Sequence, residues 1–133
     1  SDLNMSDKQG AIKFLDYRVS KVEFYLNKTE KQSNELNVEV SSDKEVDKEL
    51  KNMLVELNVE IGDKDESPFF MSICLEGLFE LSQDYLDYDI NLFYSNALSI
   101  LYPYVRAIVS TYTAGANIKP VILPTINIKK MLK

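Results

Sequence analysis

Apolar and polar residues alternate along the first half of the chain in runs that read as strands. Leu15, Tyr17 and Val19 alternate on one face, then Val22, Phe24 and Leu26 continue in the opposite phase. The one-residue slip predicts a strand over residues 14–26 with a β-bulge near Ser20-Lys21, where it bends or twists. A polar stretch over residues 27–34 supplies a turn. Leu36, Val38 and Val40 then alternate with Glu35, Asn37 and Glu39, the pattern of a strand wet on one face. Residues 41–52 are highly charged, with only Val46 and Leu50 apolar; they read as a solvated crossover loop, or a short helical turn. Strict alternation returns at Met53, Val55, Leu57, Val59 and Ile61. A turn opens at Gly62-Asp63 and closes at Pro68, and a fourth strand runs from Phe69 to about Leu81. Its Phe69, Met71, Ile73 and Leu75 share a face, and Gly77 inside it marks a kink or close packing.

After Leu81 the period lengthens. Ala97, Leu98, Leu101, Tyr104, Val105, Ile108, Val109 and Tyr112 recur at helical spacing, which predicts a long helix over residues 89–114 ended by Gly115. Pro103 lies within it and should kink or split it. Pro120 and Pro124 exclude a central strand from the tail and favour an extended covering segment. Ile128, Met131 and Leu132 suit a short last helix over residues 126–133. Consecutive strands with short connections pair antiparallel, and helices then cover one face. The expected fold is α+β: a four-stranded antiparallel sheet, a long kinked helix and a short C-terminal helix. Residues 1–13 read as a flexible lead and residues 14–133 as one domain. Phe69-Phe70 and Met53-Leu54 place apolar groups on both strand faces, more than one helix layer covers. The surplus goes to an oligomer interface, to an exposed groove or to irregular core.

Composition narrows the chemistry. The 133 residues are 45% hydrophobic and 27% charged, the balance of a globular protein rather than a disordered one. A net charge of -6 opposes nucleic-acid binding. There is no His, which removes the usual general base and the commonest metal ligand. The single Cys74 sits in an apolar strand and reads as a small buried hydrophobe, with no basic group placed to activate it. Asp84, Asp87 and Asp89 lack the Gly and distal Glu of a calcium loop, and four scattered Gly make no phosphate cradle. The chain is therefore expected not to be an enzyme and to need no cofactor or metal. No run approaches the roughly 20 apolar residues of a membrane span, and residues 1–10 lack the apolar core of a secretory signal. With a lone Cys, a reducing cytoplasm is the expected compartment.

The C-terminal half carries a resemblance. Leu101-Tyr-Pro-Tyr-Val-Arg106, Ala107-Ile-Val-Ser110, Gly115 and Pro120-Val-Ile-Leu-Pro124-Thr-Ile-Asn127 resemble the SecB export-chaperone family: its leucine-aromatic-Pro-Tyr-x-Arg helix, Gly-containing turn and Pro-x-Asn segment. Glu35-Leu-Asn-Val-Glu-Val40 looks like the second family strand, and Phe69-Phe-Met-Ser-Ile73 with Gly77-Leu-Phe79 like the fourth. The resemblance implies an ATP-independent holding chaperone that binds non-native, extended polypeptides, either export preproteins or an antitoxin, in apolar grooves. The alternative is an adaptor module of the same fold that binds one folded partner. It implies client contacts at Leu36, Val38, Val40, Phe69, Ile126, Ile128 and Leu132. It also implies a homotetramer, a dimer of dimers with eight-stranded sheets and long helices between them, with interface residues Val19, Val22, Leu101, Val105 and Ile108. Two departures stand out. Val22, Tyr25 and Ser72 occupy positions where relatives display acidic residues to the SecA motor, which argues against SecA docking by that surface. The chain also ends at Lys133 without the family's longer C-terminal tail.

Overall fold

The computed structural model describes residues 11–27 and 36–127. Four strands, β1 (Ile12–Leu26), β2 (Val38–Asp47), β3 (Asn52–Ile61) and β4 (Phe69–Leu81), precede a 3-10 turn (Tyr85–Asp87) and one long helix, α1 (Ile90–Gly115). The sheet order is β1-β4-β3-β2, and every pairing is antiparallel. This is the expected α+β class, with one difference in pairing. β1 does not pair with β2; it lies along β4, from Ile12 opposite Leu81 to Leu26 opposite Phe69. The two longest strands thus satisfy one another's ladder, leaving β1 and β2 as opposite edges.

The bulge expected near Ser20-Lys21 is present between Val19 and Lys21, and a second one interrupts the register between Phe14 and Asp16. The second bulge takes Leu15 out of the inward set and puts Phe14 there instead. With both bulges, Phe14, Tyr17, Val19, Val22, Phe24 and Leu26 stand opposite the inward residues of β4.

Residues 41–47 are a correction. They continue β2, and Val46 pairs with Met53 in a hairpin closed by residues 48–51. Asp47 Oδ1 accepts from the amides of Glu49 and Leu50, both at 3.0 Å, and Lys51 takes a left-handed φ of 54°. The segment looks like a loop in sequence because β2 is an edge strand. Its outward positions, Asp43, Glu45 and Asp47, are exposed, and two of its inward positions are Ser42 and Lys44.

Helix α1 covers one sheet face. Asp89 caps it by accepting from the Asn91 amide at 3.0 Å. Pro103 does not split it: the helix is continuous from residue 90 to 115, with Pro103 on its exposed side. Gly115 is its last residue, but the left-handed turn that follows is made by Asn117, φ 61°. The core lies between helix and sheet, where the inward residues of β3 from Met53 to Ile61 have no exposed surface. A Cβ at Gly77 would stand 2.7 Å from Leu101 Cδ2 and 2.9 Å from Phe79 Cε1, so this glycine sets how closely α1 approaches. At Gly62, φ 79° and a Cβ position 2.4 Å from the Phe69 carbonyl oxygen both demand glycine.

Residues 116–127 leave the helix end and run back beside it without joining the sheet. The expected extended segment is therefore correct. Of the predicted last helix, Ile126 and Asn127 are non-helical, and residues 128–133 lie outside the described residues.

Candidate functional site

The tail is held to α1 by a ladder of side chains at helical spacing. Arg106 Nε donates to the Leu123 carbonyl at 3.1 Å, and Ser110 Oγ donates to the Val121 carbonyl at 3.0 Å. Tyr102 donates its hydroxyl proton to the Pro124 carbonyl. The Val121 amide donates to Thr113 Oγ1 at 2.9 Å, and that buried hydroxyl donates to the Val109 carbonyl at 2.8 Å. Leu123 is driven into the core beneath this strap, while Ile122 points out and is 78% exposed. Burial pushes the Tyr102 hydroxyl pKa up, partly offset by the Arg106 charge. A neutral phenol is the form that donates to a carbonyl.

The strap makes one wall of a groove of about 760 Å³. The other walls come from Leu26, Leu36, Val38, Pro68 and Phe69, and among the described residues Lys119 is the one charged member of the lining. Local bonds fix the far end. The Asn27 amide donates to the Pro68 carbonyl at 2.9 Å, its Nδ2 donates to the Ser67 carbonyl at 2.8 Å, and Ser67 Oγ accepts from the Asp63 amide at 2.7 Å. Phe24 stacks on Phe69 with ring centroids 5.7 Å apart. The result is an open, largely apolar channel beside a strand edge.

Of the client-contact residues expected from sequence, Leu36, Val38 and Phe69 line this groove together. Val40 is the next inward residue of β2 and, like Ile126, is half-buried against the core outside the lining. Ile128 and Leu132 lie outside the described residues. Leu26, Pro68 and the strap residues 118–124 were not anticipated as lining. The two prolines of the tail were the available signal, since they marked a segment that covers rather than pairs.

The expected interface residues separate into two groups. Val19 and Val22, 41% and 39% exposed, are inward-facing residues of an edge strand that the helix leaves partly uncovered. Tyr17, Tyr104 and Tyr112 extend this apolar flank, with Tyr17 and Tyr104 rings 4.6 Å apart. Ile108 is half-buried. Leu101 and Val105 have no exposed surface; they face the sheet and belong to the protomer's own core, which corrects their assignment to an interface.

The sheet face away from α1 carries much of the acidic charge, including Glu23, Glu56, Glu60 and Glu76, with Arg18 Nε paired to Glu76 at 2.9 Å. Val22 is not on it, whereas Tyr25 and Ser72 are. Cys74 also lies here, buried, its Sγ 3.6 Å from Glu56 Oε1. Burial, reinforced by Glu56 and Glu76, raises the thiol pKa against a smaller opposing effect of Ser20, so it is a poor nucleophile. Among the described residues no helix is long and apolar enough to cross a membrane.

Three comparisons bear on this geometry. The family model described as preprotein translocase subunit SecB matches residues 12–133. The uncharacterized protein MJ0357 of Methanocaldococcus jannaschii is 35% identical over 128 residues, spanning 92% of this chain and 83% of that protein. Among solved structures, the Mycobacterium tuberculosis Rv1957 SecB-like chaperone, in complex with a ChAD peptide from the Rv1956 HigA1 antitoxin, superposes with a TM-score of 0.68. It shares 14% identity and spans 87% of this chain and 88% of its own, so the likeness is one of fold.

Proposed function

The chain belongs to the SecB family, and from that premise we propose that it is an ATP-independent holding chaperone which keeps non-native, extended polypeptides, export preproteins or an antitoxin, in the apolar groove. The carrying observation is the groove itself: strap residues 118–124 on one side, Leu36, Val38 and Phe69 on the other, with Lys119 the one charge in the lining among the described residues. Each client side chain taken fully out of water there contributes about 1.5–3 kcal/mol. Ordering a flexible chain opposes that gain. Capture is therefore reversible and follows mass action, with release when a receptor or a folded state competes better. Val40 and Ile126 extend the apolar surface at the groove's margin, and Ile128 and Leu132 belong to the same client surface in this reading.

The working unit in this reading is a homotetramer in the cytoplasm. The uncovered flank of Tyr17, Val19 and Val22, with Ile108, Tyr104 and Tyr112 beside it, supports assembly of copies through β1 and α1. SecA docking through Val22, Tyr25 and Ser72 forms no part of the proposal.

The decisive experiment is the refolding of a denatured, slow-folding client with stoichiometric chaperone. Refolding should be delayed in proportion to chaperone concentration and released by excess unlabelled client. An unchanged refolding rate at several-fold excess would rule out the holding function. Val38→Asp should weaken capture while leaving the assembly intact by light scattering. Loss of the oligomer with capture unaffected would reassign that strand face.

A further inference from the structure

The edge strand β2 presents more than an apolar surface. Its burial alternates residue by residue, so Val38, Val40, Ser42 and Lys44 face inward in turn. The first two adjoin the groove; the last is a cation on the inward side of an acidic protein. Lys44 Nζ lies 4.5 Å from the centre of the Tyr94 ring. Tyr94 is itself held in place, buried and hydrogen-bonded through its hydroxyl to Ser42 Oγ. Among the described residues the ion pairs are Arg18–Glu76 and Lys21–Glu23, so Lys44 has no carboxylate partner. Asp43 and Glu45, its sequence neighbours, point to the opposite side of the strand.

An inward charge on an edge strand deters indiscriminate strand pairing, because a wholly apolar or basic newcomer leaves it unpaired or repelled. The same charge welcomes a newcomer that brings an anion to that position. Lys44 lies six positions along the strand from Val38, roughly 20 Å, within reach of one short client segment that also fills the groove.

Resting on the holding function above, we propose that β2 selects its clients by charge as well as by hydrophobicity. The occupant is an extended client segment added antiparallel to β2, in keeping with the rest of the sheet. Its inward residues, read from its N-terminal end, are an acidic residue beside Lys44, a small polar residue beside Ser42, and two apolar residues beside Val40 and Val38.

Two fluorescent heptapeptides test this. Both carry Ser, Val and Leu at the third, fifth and seventh positions with Thr between, and they differ only in Glu or Lys at the first. Anisotropy titrations with the full chain should show the Glu peptide bound roughly three- to tenfold tighter than the Lys peptide, the range expected when a favourable cross-strand pair replaces a like-charge one. The preference should shrink at high salt, vanish in K44Q and reverse in K44E. Equal affinities in all three proteins, or a uniform gain for both peptides in K44Q, would overturn the inference and leave the holding function standing. Failure of both peptides to bind while a denatured client is still retained also overturns it. Failure of the denatured client as well would overturn the holding function itself.

Discussion

Leu123→Ala isolates the apolar anchor of the strap. Leu123 is 1% exposed, and the hydrogen bond from Arg106 goes to its backbone carbonyl. The substitution therefore leaves the ladder's donors and acceptors in place while removing the side chain. Truncating a fully buried leucine costs about 2–5 kcal/mol. At tenfold per roughly 1.4 kcal/mol, even the lower end makes opening of the strap about thirtyfold more frequent. Hydrogen exchange at the Val121 amide, which donates to Thr113 Oγ1, reports that opening directly. Client affinity should fall with it, because residues 118–124 form one wall of the groove. Gly77→Ala serves as the control, since it disturbs the helix–sheet contact away from the groove and should lower stability without lowering affinity well below the melting temperature. Unchanged exchange at Val121, or full client affinity in a variant whose strap exchanges freely, would refute the strap as a structural wall.

Three further outcomes follow from the same geometry. Gly77→Ala should cost about 1–3 kcal/mol in chemical denaturation at fixed protein concentration, because its Cβ would meet Leu101 at 2.7 Å; Leu101→Ala in the same background should be less costly than the two changes summed. Asp89→Ala should lose about 0.5–2 kcal/mol, read as a shift in denaturation midpoint with an unchanged slope, because it removes the cap on the Asn91 amide. Cys74 and Tyr102 both hold their protons more tightly when folded, so their contribution is complete below the unfolded values and is lost as pH rises through the folded ones. Thermal stability should therefore fall above about pH 9, less steeply in Cys74→Ser, and a rise between pH 8 and 10 would contradict the assigned directions.

Much of the architecture was legible in the residues because it depends on local period. The alternation from Met53 to Ile61, the helical spacing from Ala97 to Tyr112, the bulge near Ser20 and the covering role of the Pro120 and Pro124 segment all follow from near neighbours in the chain. Partners far apart in sequence decided the rest. Ser42 and Lys44 look like loop residues until Tyr94 is folded beside them and β3 supplies their ladder. Leu101 and Val105 fit an oligomer seam or a core equally well by spacing; the close approach permitted by Gly77 puts Leu101 in the core. The groove likewise exists only because the strap is bonded back along α1, which brings residues 118–124 opposite Leu36, Val38 and Phe69. Periodicity shows which side of an element is apolar. Only tertiary structure decides what covers that side and what is left open to another chain.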